Sequence, residues 1–76
     1  MSNVRVTVSG RGPLAERVPP GCVLDLADGA TVTDALAELG LPASACVTVV
    51  NGEVARPQTA LSDGDRVQLY HQRAGG

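Results

Sequence analysis

The segment NVRVTVS, residues 3–9, alternates apolar and polar positions without a break, with Val4, Val6 and Val8 on one face and Arg5 and Thr7 on the other. A period of two predicts a half-buried strand. Gly10, Gly12 and Pro13 break it. The stretch through Pro19-Pro20 reads as a connection, because adjacent prolines cannot donate the ladder hydrogen bonds of a central strand. Alternation resumes in CVLDLA, residues 22–27, where Cys22, Leu24 and Leu26 share a face, and Asp28-Gly29 closes it. In TVTDALAELG the period changes: Val32, Ala35, Leu36 and Leu39 recur at i, i+3, i+4 and i+7, the single apolar stripe of a helix. Thr31 is its expected N-cap, and Asp34 favours the helix N-terminus, although a capping box ordinarily takes Glu or Gln. Gly40 stops the helix and Pro42 prevents its resumption.

CVTVVN is the next expected strand, and the Asn51-Gly52 that ends it predicts a tight hairpin with the brief partner EVA. The pattern leaves its inward face open, since Val47 and Val49 share one side while Thr48 and Val50 share the other. Pro57 ends the short partner and Leu61 is expected to anchor in the core. SDGD then turns the chain into RVQLYHQ, where Val67 and Leu69 point one way and Gln68 and Tyr70 the other. The order is strand, strand, helix, strand, short strand, strand, with the helix across one face of the sheet, which is an α+β domain. Residues 1–70 are read as the domain. Residues 71–76, HQRAGG, are too polar and glycine-rich to pack and are read as a mobile tail.

Composition narrows the picture. Seventy-six residues make one domain, which buries roughly 60% of the surface exposed on unfolding. With no Trp, Phe or Ile, and Tyr70 the one aromatic, the core has to come from Val, Leu and Ala. Val packs well on a pleated sheet. A ligand pocket of about 300 Å³ would consume much of such an interior. The formal charge is −2, every basic residue is Arg, and no Lys occurs. With no basic stripe and no aromatic platform, nucleic-acid binding is not expected. No apolar run reaches membrane-span length and the N-terminus lacks a signal-peptide pattern, so a soluble cytoplasmic protein is expected. Cys22 and Cys46 are then read as free, packed thiols, and one His leaves too few soft ligands for zinc. Asp63 and Asp65 match part of a calcium loop, but the later ligands are missing and turn chemistry is the better reading.

Three segments together, ADGATVTDALAELG, VVNGEVA and LSDGDRVQLYHQRAGG, closely resemble the ubiquitin-like sulfur carrier proteins. That family includes the thiamine-biosynthesis sulfur carrier and the molybdopterin synthase small subunit. The match runs from about Val4 to Gly76. It implies a ubiquitin-like β-grasp fold, with a mixed four- to five-stranded sheet, one main helix on one face and a flexible C-terminal tail. It also implies a substrate of other enzymes rather than an enzyme. An E1-like adenylating enzyme uses ATP to activate the terminal carboxylate, a persulfide donor of the rhodanese or desulfurase type supplies sulfur, and an acceptor synthase receives it. The carrier itself binds no cofactor and is expected to be a monomer when free.

On this reading Gly76 carries the adenylate and then the thiocarboxylate, while Gly75 and Ala74 thread a narrow passage in the activating enzyme. An ionised carboxylate, with a reference pKa of about 3.3–3.7, resists nucleophiles until it is converted to an acyl phosphate. Glycine suits the passage because a Cβ would clash there and extended freedom is needed. Arg73 is either a docking group for an acidic patch or a solvated charge. Tyr70, Gln68 and His71 are further candidates for contact with partners. Two other functions share the pattern: a ubiquitin-like modifier joined to lysines through Gly76, and a plain docking module with an inert tail. Between pathways the residues lean slightly to a thiamine-type or specialised carrier over a molybdopterin-type one. HQRAGG lacks a proline near the tail, LPASA is short, and SGRGPLAERVPPG is long for a first hairpin.

Overall fold

The computed structural model describes residues 3–71, with residue 43 described by its backbone only. Five strands form one sheet: β1 (Asn3–Gly10), β2 (Cys22–Ala27), β3 (Cys46–Val50), β4 (Glu53–Ala55) and β5 (Arg66–His71). Their spatial order is β2-β1-β5-β3-β4, with β1 and β5 parallel and the other pairs antiparallel. One helix, α1 (Val32–Glu38), lies on one face. The last strand therefore enters at the middle of the sheet, between the first and the third.

Alternation built β1 as expected: Val4, Val6 and Val8 are buried, and Arg5 and Thr7 are exposed. In β2, Leu26 is buried, Leu24 and Cys22 are half-buried, and Val23, Asp25 and Ala27 are exposed. Val32, Ala35 and Leu36 of α1 close over this surface together with Val67, Leu69 and Leu61. Each such aliphatic side chain is worth about 1.5–3 kcal/mol when fully buried.

The ends of α1 are fixed by side-chain and main-chain bonds. Thr31 Oγ1 accepts from the Asp34 N–H at 3.4 Å, and Asp34 Oδ2 accepts from the Thr31 N–H at 2.8 Å. This is a full capping box made with Asp, so the sequence reading underrated Asp34. At the other end, Leu41 N–H donates to Leu36 C=O at 2.9 Å and Gly40 N–H to Ala37 C=O at 3.1 Å. With Gly40 at φ 72° this is a Schellman stop, and Leu41 is buried against the core.

The connection after β1 carries more than its sequence suggested. It forms a short 3-10 helix, Gly12–Glu16, that buries Leu14, and Val18 beyond it is buried as well. Gly10 lies against this turn. A Cβ there would stand 2.9 Å from Val18 C=O and nearer still to the Leu14 main chain, so only glycine fits.

The open question about β3 is settled by its neighbours. Thr48 lies opposite Leu69 and Val50 opposite Val67, and directly paired residues share a face. Thr48 is therefore buried, and Val47 and Val49 face outward. The Asn51-Gly52 turn, with φ 52° and 86°, is the expected two-residue hairpin of the I′ kind.

Candidate functional site

The site is built at the C-terminal end of β5 and on the sheet face away from α1. β5 extends through His71, which pairs with Cys46, so the strand takes in one residue that the sequence reading had given to the tail. Its parallel neighbour β1 ends beside it, with Gly10 opposite Leu69. Arg11 N–H donates to Leu69 C=O at 2.8 Å and continues that ladder.

On the outer face, Tyr70 lies opposite Val47, and Val49 lies between Gln68 and Val54. Tyr70 Oη donates to Gln68 Oε1 at 3.4 Å, a long bond that orients the ring without burying it. Tyr70 is 40% exposed and Val54 is 77% exposed. The result is a shallow apolar patch centred on Val49, with Gln68 at its edge toward β1, where it lies opposite Ser9. Charged groups stand elsewhere on this face, where Arg5 Nε donates to Asp25 Oδ1 at 3.0 Å as an ion pair.

His71 alternates to the side of α1. It borders a hollow of about 270 Å³ lined chiefly by Pro13, Leu14, Leu41, Pro42 and Cys46, with Arg17 at the rim. Cys46 is a free thiol, as is Cys22, and burial pushes the Cys46 thiol above its ordinary pKa. A thiol held neutral in this way is a poor nucleophile. A second hollow, of about 220 Å³, joins Tyr70 and His71 to Arg11, Gly12 and Pro13. Two arginines thus flank the end of β5.

The acidic turn before β5 has a structural task. Asp65 accepts from Ser62 N–H and Asn51 Nδ2, and Asp63 Oδ1 accepts from Arg5 N–H. These bonds tie the turn to the hairpin and to β1. Among the described residues no group of three or more His, Cys, Asp or Glu is gathered as metal ligands.

Of the site residues read from the sequence, Gln68 and Tyr70 come together on the outer face, and His71 lies on the other side. Gly76, Gly75, Ala74 and Arg73 lie outside the described residues. Sequence reasoning missed the outward Val47, Val49 and Val54, for which valine on both faces of β3 was the available signal. It also missed Arg11 and Arg17, which carry no periodic signal because they sit in the connection.

A five-strand mixed sheet with a parallel central pair and one helix across one face defines a ubiquitin-like β-grasp protein. Within that class, the chain belongs to the ThiS family, which it matches over residues 12–76. No curated protein matches it. Its fold is similar to that of SAMP1 from Haloferax volcanii, a small archaeal modifier protein, at 25% identity and TM-score 0.75 over 95% of this chain and 99% of that one. It is similar to a putative molybdopterin converting factor, subunit 1, from Pyrococcus furiosus, at 20% identity and TM-score 0.77 over 92% and 99% of the two chains. Caldiarchaeum subterraneum ubiquitin is similar at 18% identity and TM-score 0.66, over 99% of this chain and 100% of that one. The last two likenesses speak to the fold.

Proposed function

We propose that this chain is a sulfur carrier that acts through the carboxylate of Gly76. The observation that carries the reading is that the ThiS family match runs through Gly76, on a β-grasp domain whose last described strand reaches His71 at the middle of the sheet. Residues 72–76 then act as the reach between the gripped domain and the chemistry. The Gly76 carboxylate attacks the α-phosphorus of ATP in an E1-like adenylating enzyme, and pyrophosphate leaves. The terminal sulfur of a protein persulfide attacks the acyl carbon and expels AMP. A thiol then cleaves the acyl disulfide, leaving the thiocarboxylate on Gly76 and a disulfide between the donor and that thiol. An acceptor synthase takes the sulfur and the Gly76 carboxylate is regenerated.

The domain serves as the handle in this scheme. The patch of Val47, Val49, Val54 and Tyr70, with Gln68 at its edge toward β1, is the surface the adenylating enzyme grips, because outward aromatic and aliphatic groups with a polar rim suit an interface. Arg73, Arg11 and Arg17 supply charge near the tail for a carboxylate-bearing rim. Gly75 and Ala74 thread the passage to ATP. The protein is a co-substrate rather than a catalyst, and it works in the cytoplasm on a thiamine-type or specialised pathway.

A second reading draws on the likeness to SAMP1: Gly76, once adenylated, is joined to amines of other proteins. This chain has no lysine, so it cannot form lysine-linked polymers of itself. Pyrophosphate release by the adenylating enzyme of the same organism tests the step both readings share. It is expected with the full chain and lost when residue 76 is deleted. Chain-dependent release that persists after the deletion removes Gly76 from the reaction, and no release with the full chain leaves the domain as a plain docking module.

A further inference from the structure

The two edges of the sheet differ. β4 has three residues, and the pairing of Val50 with Glu53 across the two-residue turn leaves only the Val54 main chain pointing outward. β2 has six. The direction of its main-chain groups follows from β1. Arg5 N–H donates to Asp63 Oδ1, Arg5 C=O accepts from Gly64 N–H, and Thr7 N–H donates to Asp65 C=O, so these residues bond toward the β5 side. Val4, Val6 and Val8 consequently bond toward β2, where they face Leu26, Leu24 and Cys22. The main chain of Val23, Asp25 and Ala27 is left pointing out of the sheet.

Ala27 C=O accepts from Ala30 N–H at 3.0 Å, but the N–H and C=O of Val23 and Asp25 have no protein partner among the described residues. Val23 is 53% exposed, and Asp25 and Ala27 are exposed too. Natural edges are commonly guarded by Pro, Lys or a bulge. β2 has neither residue, and its register with β1 is continuous from Ala27 to Cys22. Its one charge, Asp25, is already bonded to Arg5.

We propose that β2 pairs antiparallel with β2 of a second copy of this chain, about a twofold axis through Leu24. Outward main-chain groups bond only to outward groups, so the hydrogen-bonded pairs must come from Val23, Asp25 and Ala27. An axis at Asp25 sets two carboxylates directly opposite, which is unfavourable. An axis at Leu26 needs the Ala27 C=O, which is occupied. An axis at Leu24 pairs Val23 with Asp25 of the second copy, twice, for four N–H···O=C bonds. It sets Leu24 against Leu24 of the second copy, and Cys22 against its Leu26, on the α1 side where these residues already lie. An axis at Val23 would need Gly21, whose φ of 83° takes it out of the strand, so the edge is complementary to itself in the Leu24 register, which favours a copy over a foreign strand. β1 separates β2 from β5, so both β5 ends and both outer patches stay uncovered. The inference is independent of the sulfur chemistry and departs from the monomer expected from the sequence.

A single edge pairing buries less than the roughly 1,200 Å² of a stable interface, so the dimer is weak. Sedimentation velocity of the reduced full chain is expected to show the weight-average mass rising about 1.5-fold between about 10 µM and about 1 mM. Val23→Pro removes an N–H that the monomer does not use, and is expected to stay at 7.7 kDa throughout. Amide exchange at Val23 and Asp25 is expected to slow as concentration rises. A constant mass of 7.7 kDa, or a dimer that survives Val23→Pro, overturns the proposal. Should that variant fail to fold, exchange in the unaltered chain decides: protection at Val23 and Asp25 that does not vary with concentration overturns it.

Discussion

The two faces of this sheet are made from nearly the same residues and have opposite fates. The inner face carries Val4, Val6, Val8, Val67 and Leu69, and all are buried under α1 and the 3-10 turn. The outer face carries Val23, Val47, Val49, Val54 and Tyr70, and nothing in the described chain covers it. In a domain this small, one helix can close only one side. Valine on the inner face is therefore a statement about stability, and valine on the outer face is a statement about partners, because a monomer gains nothing by exposing it.

Substitutions on each side sharpen the contrast, and the largest effect belongs to the inner face. Leu36→Ala empties a fully buried site beneath the strands and is expected to cost about 2–5 kcal/mol in urea unfolding. A loss below about 1 kcal/mol would mean that α1 is not the lid of this core. The outer face should behave in reverse. Val54→Asp, at a residue already 77% exposed, is expected to change stability by no more than about 0.5 kcal/mol. On the proposed function, the same change is expected to raise the KM of an E1-like adenylating enzyme for this chain about tenfold, the mark of a contact worth roughly 1.4 kcal/mol. An unchanged KM would strip the outer face of its role as the grip.

Much of this fold was legible in the chain, for physical reasons that differ element by element. β1, β2 and α1 were readable because one face is buried and the other solvated, so the period of the structure is written into the residues. Asn51-Gly52 was readable because few other dipeptides tolerate φ > 0 at both positions. Thr48 was not, since its orientation is imposed by Leu69 across the strand pair rather than by its own neighbours in sequence. Leu14 and Val18 were missed because a 3-10 turn carries no sustained period, and Gly10 looked like a strand breaker when its task is close approach. For the site, Tyr70 and Gln68 fell together as strand alternation requires. Val49 and Val54 joined them only once the order β5-β3-β4 was known.

The sulfur-carrier role is decided at Gly76. The most direct measurement is the intact mass of the full chain after incubation with its adenylating enzyme, ATP, a persulfide donor and a thiol. A shift equal to exchange of one oxygen for one sulfur is expected, confined to the peptide that contains Gly76. An unchanged mass under conditions in which the enzyme forms the acyl-adenylate and releases pyrophosphate would contradict that role.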